Sequence, residues 1–236
     1  RDVPSMTCAE FGGPNKTGAA AFGPEDFARA AGVSAEILRK LRIYDEVLVD
    51  WNTRHNLISR STVADRWRRH FLDSAQIHAA LAPGAKTLVD LGSGAGFPGL
   101  VLAALGEPGG LQVTLVESIK KKAVFLSTAI EAMGLRHVAV IPERLESVRL
   151  SKPDAITARA LASLPKLLDY AHEIAGQNTV CYFLKGQDVG AELTEATKYW
   201  NIEVDQLPSL TAPEARLLIV RRFAPKDRKG RRVKPR

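Results

Sequence analysis

"LVDLGSGAGFPGL", residues 88–100, decides how the rest of the chain is read. A short apolar run closes on Asp90 and Leu91. Gly92, Gly94 and Gly96 then follow at alternate positions, before a second apolar run begins. Strand, glycine-rich turn and helix is the order in which bare backbone approaches a ligand at a helix N-terminus. A tight strand-to-helix turn uses the same glycines, so the stretch alone leaves a dinucleotide, a nucleoside or no ligand open. The dinucleotide fingerprint wants its third glycine where this chain has Phe97. That departure counts against a nicotinamide cofactor.

Outward from this turn, short apolar runs alternate with helical patterns. The runs are "TLVDL" (87–91), "LQVTLVE" (111–117), "HVAVI" (137–141), "DAITAR" (154–159) and "TVCYFLK" (179–185), then "IEVDQL" and "ARLLIVRR". Such alternation is the pattern of a parallel sheet covered by helices on both faces. The last two runs lie close together and predict an antiparallel hairpin added to it, giving a seven-stranded, mostly parallel α/β sheet. Residues 24–84 read as a helical cap packed on that core. Pro24 with Glu25 and Asp26 forms a first turn. Ser34 is placed to cap "AEILRKLRIYDEVLVDWN", and Thr62 to cap a third helix, "VADRWRRHFLDSAQIHAAL". Trp51, Trp67 and Phe71 recur at helical spacing and are expected between cap and sheet.

The sheet-forming domain is expected over residues 85–224, between a flexible N-terminus (1–23) and a basic disordered tail (225–236). Arg1–Ser5 precede Met6 and are set aside from the fold. The net charge is +7, and the tail "PKDRKGRRVKPR" holds seven Lys and Arg against one Asp. A stretch so poor in apolar residues cannot pack, and it reads as a solubilising segment or as an arm for a polyanion, with nucleic acid favoured. No window approaches the roughly 18 apolar residues of a membrane span, and no signal pattern opens the chain, so a cytoplasmic protein with no membrane partner is expected. Cys8 and Cys181 form no C-x-x-C pair, and His55, His78, His137 and His172 show no ligand spacing, so no metal is assigned.

Several polar residues fall at the carboxyl ends of the expected strands, where open α/β sheets bind ligands. Glu117 closes the second strand at the spacing of a ribose-binding acid, and "ERLE" (143–146) follows the third. Arg159 ends the fourth strand and Lys185 the fifth, while Arg216 precedes the last apolar run. Arg69 and His70 lie on the third helix, and Asp73, three residues after His70 on the same face, is placed to orient the imidazole.

The ordered set "DLGSGAGFPGL", "ESIKKKAVFL", "ERLE", "ARALASLPKL" and "YFLKG", with "WNTRHNLIS" and "RRHFLDS" before it, resembles the RsmG family, also called glucose-inhibited division protein B. The resemblance covers about residues 40–220. It implies a Rossmann-like class I methyltransferase that moves a methyl group from S-adenosylmethionine to N7 of guanosine 527, in the 530-loop region of bacterial 16S rRNA. The small ribosomal subunit is then the partner, and a monomer is expected. The family's cofactor contacts carry over to Gly92, Phe97, Leu145, Glu146 and Arg159, beside Gly94 and Gly96 of the same turn and Glu117 on the ribose. Guanine N7 has a free lone pair at neutral pH, so no general base is expected, and positioning dominates. Arg159, Lys185 and His70 are the positioning candidates; Arg69, His70, Lys185 and Arg216 are the candidates for RNA contact. A small-molecule methyltransferase, a noncatalytic RNA-binding protein and a dinucleotide-dependent oxidoreductase are the alternatives on the same fold.

Overall fold

The helical segment begins where the sequence offers caps. In the computed structural model, which describes residues 22–150 and 152–226, Pro24 opens helix α1 (Pro24–Ala31) and Asp26 accepts the Gly23 N–H at 2.8 Å. Ser34 caps α2 (Ala35–Asn52), its Oγ accepting the Ile37 N–H at 3.3 Å. Leu41, Tyr44 and Leu48, spaced along one face of α2, are fully buried. Cys8 and residues 227–236 of the expected tail lie outside the described residues, as does all of the expected N-terminal segment except Phe22 and Gly23.

The third helix differs from its sequence reading. Thr62 caps nothing: it ends a 3-10 turn, Arg60–Thr62. Residues Trp67–Leu72 form a π-helix and only Asp73–Ala80 form an α-helix, α3. The wider turn brings Trp67 and Phe71 into a stack at 4.1 Å, with Phe27 of α1 packed against both rings. π-Helical turns recur at functional sites. This one carries both Arg69 and His70.

All seven expected strands form: β1 (Thr87–Leu91), β2 (Gln112–Val116), β3 (Val138–Ile141), β4 (Ala155–Arg159), β5 (Val180–Lys185), β6 (Trp200–Pro208) and β7 (Arg216–Pro225). They make one sheet in the order β3-β2-β1-β4-β5-β7-β6. The first five strands pair in parallel, and β7 runs antiparallel to both β5 and β6. Strand β7 continues to Pro225, and the Lys226 N–H donates to Tyr199 O at 2.8 Å, so ordered pairing extends past residue 225, where the tail was expected to start.

Strand side chains alternate between the two faces. Leu88, Tyr182, Leu184, Leu217 and Ile219 pack with α4 (Gly99–Gly106), α5 (Lys120–Met133) and the capping helices. Val89, Leu91, Ile156, Phe183 and Leu218 pack with α6 (Leu164–Ile174) and α7 (Val189–Tyr199). Central strands covered on both faces give the near-continuous apolar runs from which the sheet was read. Among the described residues no helix is long and apolar enough to cross a membrane.

Candidate functional site

A cleft of about 860 Å³ opens at the carboxyl ends of the parallel strands. Gly92, Gly94, Phe97, Glu117, Leu145, Arg159 and Lys185 line it, and Arg69 and His70 reach it from the π-helical turn. Of the residues expected there, Gly96, Glu146 and Arg216 are not on its wall.

Gly94 and Gly96 do different work. Gly94 sits at φ +57°, and a Cβ there would meet only Gly92 O at 3.7 Å, so its backbone faces open space. Gly96, at φ +91°, faces the protein instead: a Cβ would lie 2.5 Å from Leu100 Cδ1 and 2.9 Å from the Tyr44 hydroxyl. That close approach lets Tyr44 of α2 donate its hydroxyl hydrogen bond to Ala95 O and pin the turn from below. Burial holds the Tyr44 phenol well above its ordinary range. A fourth glycine, Gly99, was missed by the motif spacing. Its absent Cβ would lie 2.3 Å from Leu115 Cδ2, so this glycine lets α4 pack closely on the sheet. The "FPG" after the turn was the available signal.

Beneath the turn lies Asp90, fully buried and paired in register with Thr157 of β4. Its Oδ1 accepts the Thr157 hydroxyl at 2.7 Å and its Oδ2 accepts the Gly99 N–H at 3.3 Å. Burial outweighs these bonds and pushes the Asp90 carboxyl up to about 6.

Glu117 lies at the end of β2, almost fully buried. Its Oε2 accepts the Gly94 N–H at 2.9 Å and its Oε1 the Ile119 N–H at 2.7 Å. The carboxylate thus ties the second strand to the glycine turn. Each oxygen retains a lone pair for a further donor from the cleft.

Arg159 organises the opposite side. Its Nη1 lies 3.0 Å from His70 Nδ1, 3.4 Å from Arg69 O and 3.6 Å from Asp73 Oδ2. Its guanidinium carbon stands 4.9 Å from the centroid of the Phe97 ring, on which His70 also stacks at 5.1 Å. All these contacts fall on Nη1, so among the described residues the Nε and Nη2 donors have no protein partner. That edge is the fork that takes a carboxylate or phosphate bidentately.

His70 departs from its expected arrangement. Asp73 does not orient the ring; its Oδ1 accepts from Thr211 Oγ1 at 3.0 Å, Ser209 Oγ at 3.3 Å and Gln76 Nε2 at 2.8 Å. Burial raises the Asp73 carboxyl. The imidazole Nε2 instead lies 2.9 Å from Thr62 Oγ1. Burial, with Arg159 and Arg69 close by, lowers His70 to about 3, so the ring is neutral at physiological pH.

Lys185 lies on the cleft wall, but its ammonium is engaged by Glu192 Oε2 at 2.7 Å and Ala162 O at 2.9 Å. Leu145 lines the cleft while the Glu146 carboxylate turns away and accepts the Tyr170 hydroxyl at 3.0 Å. Arg216 pairs in register with Lys185, and its Nη1 donates to Pro213 O and Ala215 O, so it stands beside the rim.

Comparison with known proteins narrows the class. A family model described as rRNA small subunit methyltransferase G matches residues 37–218. The ribosomal RNA small subunit methyltransferase G of Paramagnetospirillum magneticum is 46% identical over 200 residues, covering 85% of this chain and 96% of that relative. The tRNA methyltransferase TrmI from Aquifex aeolicus has a TM-score of 0.51 at 19% identity, covering 64% of this chain and 68% of the other. A mutant of MtNAS in complex with S-adenosylmethionine has a TM-score of 0.52 at 17% identity, covering 84% of each chain. These structures share the fold: an α/β methyltransferase sheet of seven strands, mostly parallel, with helices on both faces.

Proposed function

This chain belongs to the rRNA small subunit methyltransferase G family, and from that premise we propose that it methylates N7 of guanosine 527, in the 530-loop region of 16S rRNA, with S-adenosylmethionine as donor. The observation that carries the reading is the polarity of the cleft. A buried carboxylate, Glu117, stands at one side and an arginine with a free guanidinium fork, Arg159, at the other.

The residues present fit such a donor. Gly94 offers open backbone, Glu117 retains acceptor sites for a ribose diol, and Leu145 and Ile119 supply apolar wall. The free edge of Arg159 suits an α-carboxylate. A cleft of about 860 Å³ also falls within the range of small-molecule sites, roughly 300–1,000 Å³. When bound, S-adenosylmethionine supplies an electrophilic sulfonium methyl.

What the protein adds is placement. The imidazole at the cleft has its Nδ1 lone pair filled by Arg159, Asp73 accepts from three side-chain donors, and Glu192 is held by Lys185. Engaged groups of this kind hold a nucleotide better than they deprotonate it, which suits a nucleophile such as guanine N7. Alignment of nucleophile and methyl can contribute about 7–11 kcal/mol in favourable cases. Arg69 at the mouth of the cleft, Arg216 beside the rim and the remaining Lys185 donor are the candidates for RNA phosphates or guanine O6.

The test is direct. Small subunits lacking the modification are incubated with the protein and methyl-labelled S-adenosylmethionine, and the label is mapped. The expected result is label on one guanosine of the 530-loop region, at N7. Label elsewhere, or none with active subunits, overturns the proposal.

A further inference from the structure

We propose that Thr62 is a positioning residue for Arg159, acting through the tautomer of His70. The inference rests on the reading above, in which Arg159 works in the cleft. Thr62 itself is not on the cleft wall.

The argument follows from which atoms can donate. A guanidinium has N–H groups and no acceptor, so Arg159 Nη1, at 3.0 Å, must donate to a bare Nδ1 on His70. A neutral ring with a bare Nδ1 carries its proton on Nε2. That Nε2–H faces Thr62 Oγ1 at 2.9 Å, so the hydroxyl oxygen accepts it. The Thr62 hydroxyl proton in turn goes to Ser59 O at 2.9 Å, an atom that also accepts the Thr62 N–H. The direction of every bond is forced from Arg159 through His70 and Thr62 to Ser59.

The surroundings leave this task to Thr62. Stacking on Phe97 fixes the plane of the imidazole but not which nitrogen is protonated. The charged groups around the ring are Arg159 from β4, Arg69 from its own turn and Asp73 from α3, which pairs with Arg159. The two arginines favour a neutral ring and accept no proton from it. Thr62 therefore supplies the acceptor that selects the Nε2–H form. Without it, a half-buried N–H is left unpaired, or the proton shifts to Nδ1 and opposes the guanidinium, and either way Arg159 loses its anchor.

This assigns a role to the 3-10 turn at Arg60–Thr62, which a helix cap would not have given it. The test compares Thr62→Val, which keeps shape and removes the hydroxyl, with Thr62→Ser, which restores it. In the full-length protein, Thr62→Val is expected to raise the KM and the Kd for S-adenosylmethionine about tenfold while its Tm stays near wild type, and Thr62→Ser to recover all but about threefold. Nitrogen-15 spectra of labelled histidine read the tautomer without any activity. Wild type is expected to show His70 protonated on Nε2 and not titrating between about pH 5 and 8, and Thr62→Val to show mixed tautomers or a titrating ring. A Thr62→Val protein with wild-type KM and an unchanged tautomer, beside an impaired Arg159→Ala, overturns the inference. If Arg159→Ala itself binds and turns over normally, the reading of the site fails instead, and the spectra alone decide whether Thr62 sets His70.

Discussion

The two sides of the cleft are made of different material. Where β1 and β2 end, the backbone of the Gly92–Gly94 turn meets the cleft, held by one carboxylate, with Glu117 and Gly94 only 23 positions apart, and pinned from below by Tyr44 of α2. Where β4 ends, the wall is a lattice of side chains from distant stretches: His70 and Arg159 are 89 positions apart, and Asp73 and Thr211 are 138 apart. The cleft face of the first side comes with a single βαβ unit, and the capping segment adds only the Tyr44 bond beneath it. The second exists only once the capping segment and the β6–β7 hairpin have docked onto the sheet. Substitutions on the lattice side are therefore expected to spread, and those on the backbone side to stay local.

The largest effect is expected at Arg159. Arg159→Ala removes the free fork and also the partner of His70, and is expected to lower kcat/KM by about a hundredfold, the scale of a lost charge-assisted contact together with misplacement. Arg159→Lys should recover little, since an ammonium cannot offer the fork while also holding Nδ1. Methylation kinetics on small subunits check both. A loss below about threefold would mean that the lattice merely stabilises the fold.

Legibility in the sequence follows the same division. The central strands were readable because buried parallel strands leave apolar runs, and Glu117 and the glycine turn were readable because their spacing is local. The helix at 63–81 was misread because the π-helical turn leaves no periodic signature distinct from an α-helix, and its packing of Trp67, Phe71 and Phe27 is tertiary. His70 and Asp73 share a face, as their spacing implied. Yet Thr62 and Thr211, which take up their hydrogen bonds, are set by chain folding that no local pattern encodes.

Within the backbone side, Gly94 and Gly96 separate ligand from fold. Gly96→Ala combines left-handed backbone strain with collisions at Leu100 and Tyr44, and is expected to cost about 2–4 kcal/mol, seen as a Tm lowered by roughly 5–15 °C. Gly94→Ala carries the strain alone, with its methyl in open cleft space. It should lose about tenfold in affinity for S-adenosylmethionine while its Tm drops by no more than roughly 2–8 °C. Thermal melts and calorimetric titration of the pair decide this; equal losses of affinity and of Tm in both would erase the distinction.

Asp90 and His70, one from each side, titrate with opposite sign. Asp90, under the glycine turn, has its folded pKa raised from 3.8 to about 6, so between those values the folded state holds a proton that the unfolded state has lost. Its contribution to stability is complete below about pH 4 and is lost as pH rises to about 6, by ~3 kcal/mol at most. His70, lowered from 6.5 to about 3, contributes above about pH 6.5 and loses stability as the solution is acidified toward 3. Asp90→Asn removes the first slope and leaves the second. Its stability is thus expected to climb more steeply with pH than that of wild type across about pH 4–6. Denaturation curves at stepped pH give the difference between the two proteins, and a flat difference would show that the buried carboxyl does not change its protonation on folding.

The smallest effect is expected at Glu146, where a resemblance in sequence and the geometry of the side chain part. The neighbouring Leu145 lies on the cleft wall, but the Glu146 carboxylate accepts from Tyr170 on the outer surface. Its carboxyl is held below the ordinary range first by a backbone hydrogen bond and then by Tyr170, not by anything in the cleft. An exposed bond of this kind contributes little, because water replaces it at almost no cost. Glu146→Ala should therefore leave the Kd for S-adenosylmethionine within about twofold of wild type, measured by the same titration used for Gly94→Ala. A tenfold loss would require the carboxylate to swing into the cleft when the donor binds. The backbone side would then draw on a mobile side chain as well, and the contrast between a local wall and an assembled lattice would give way.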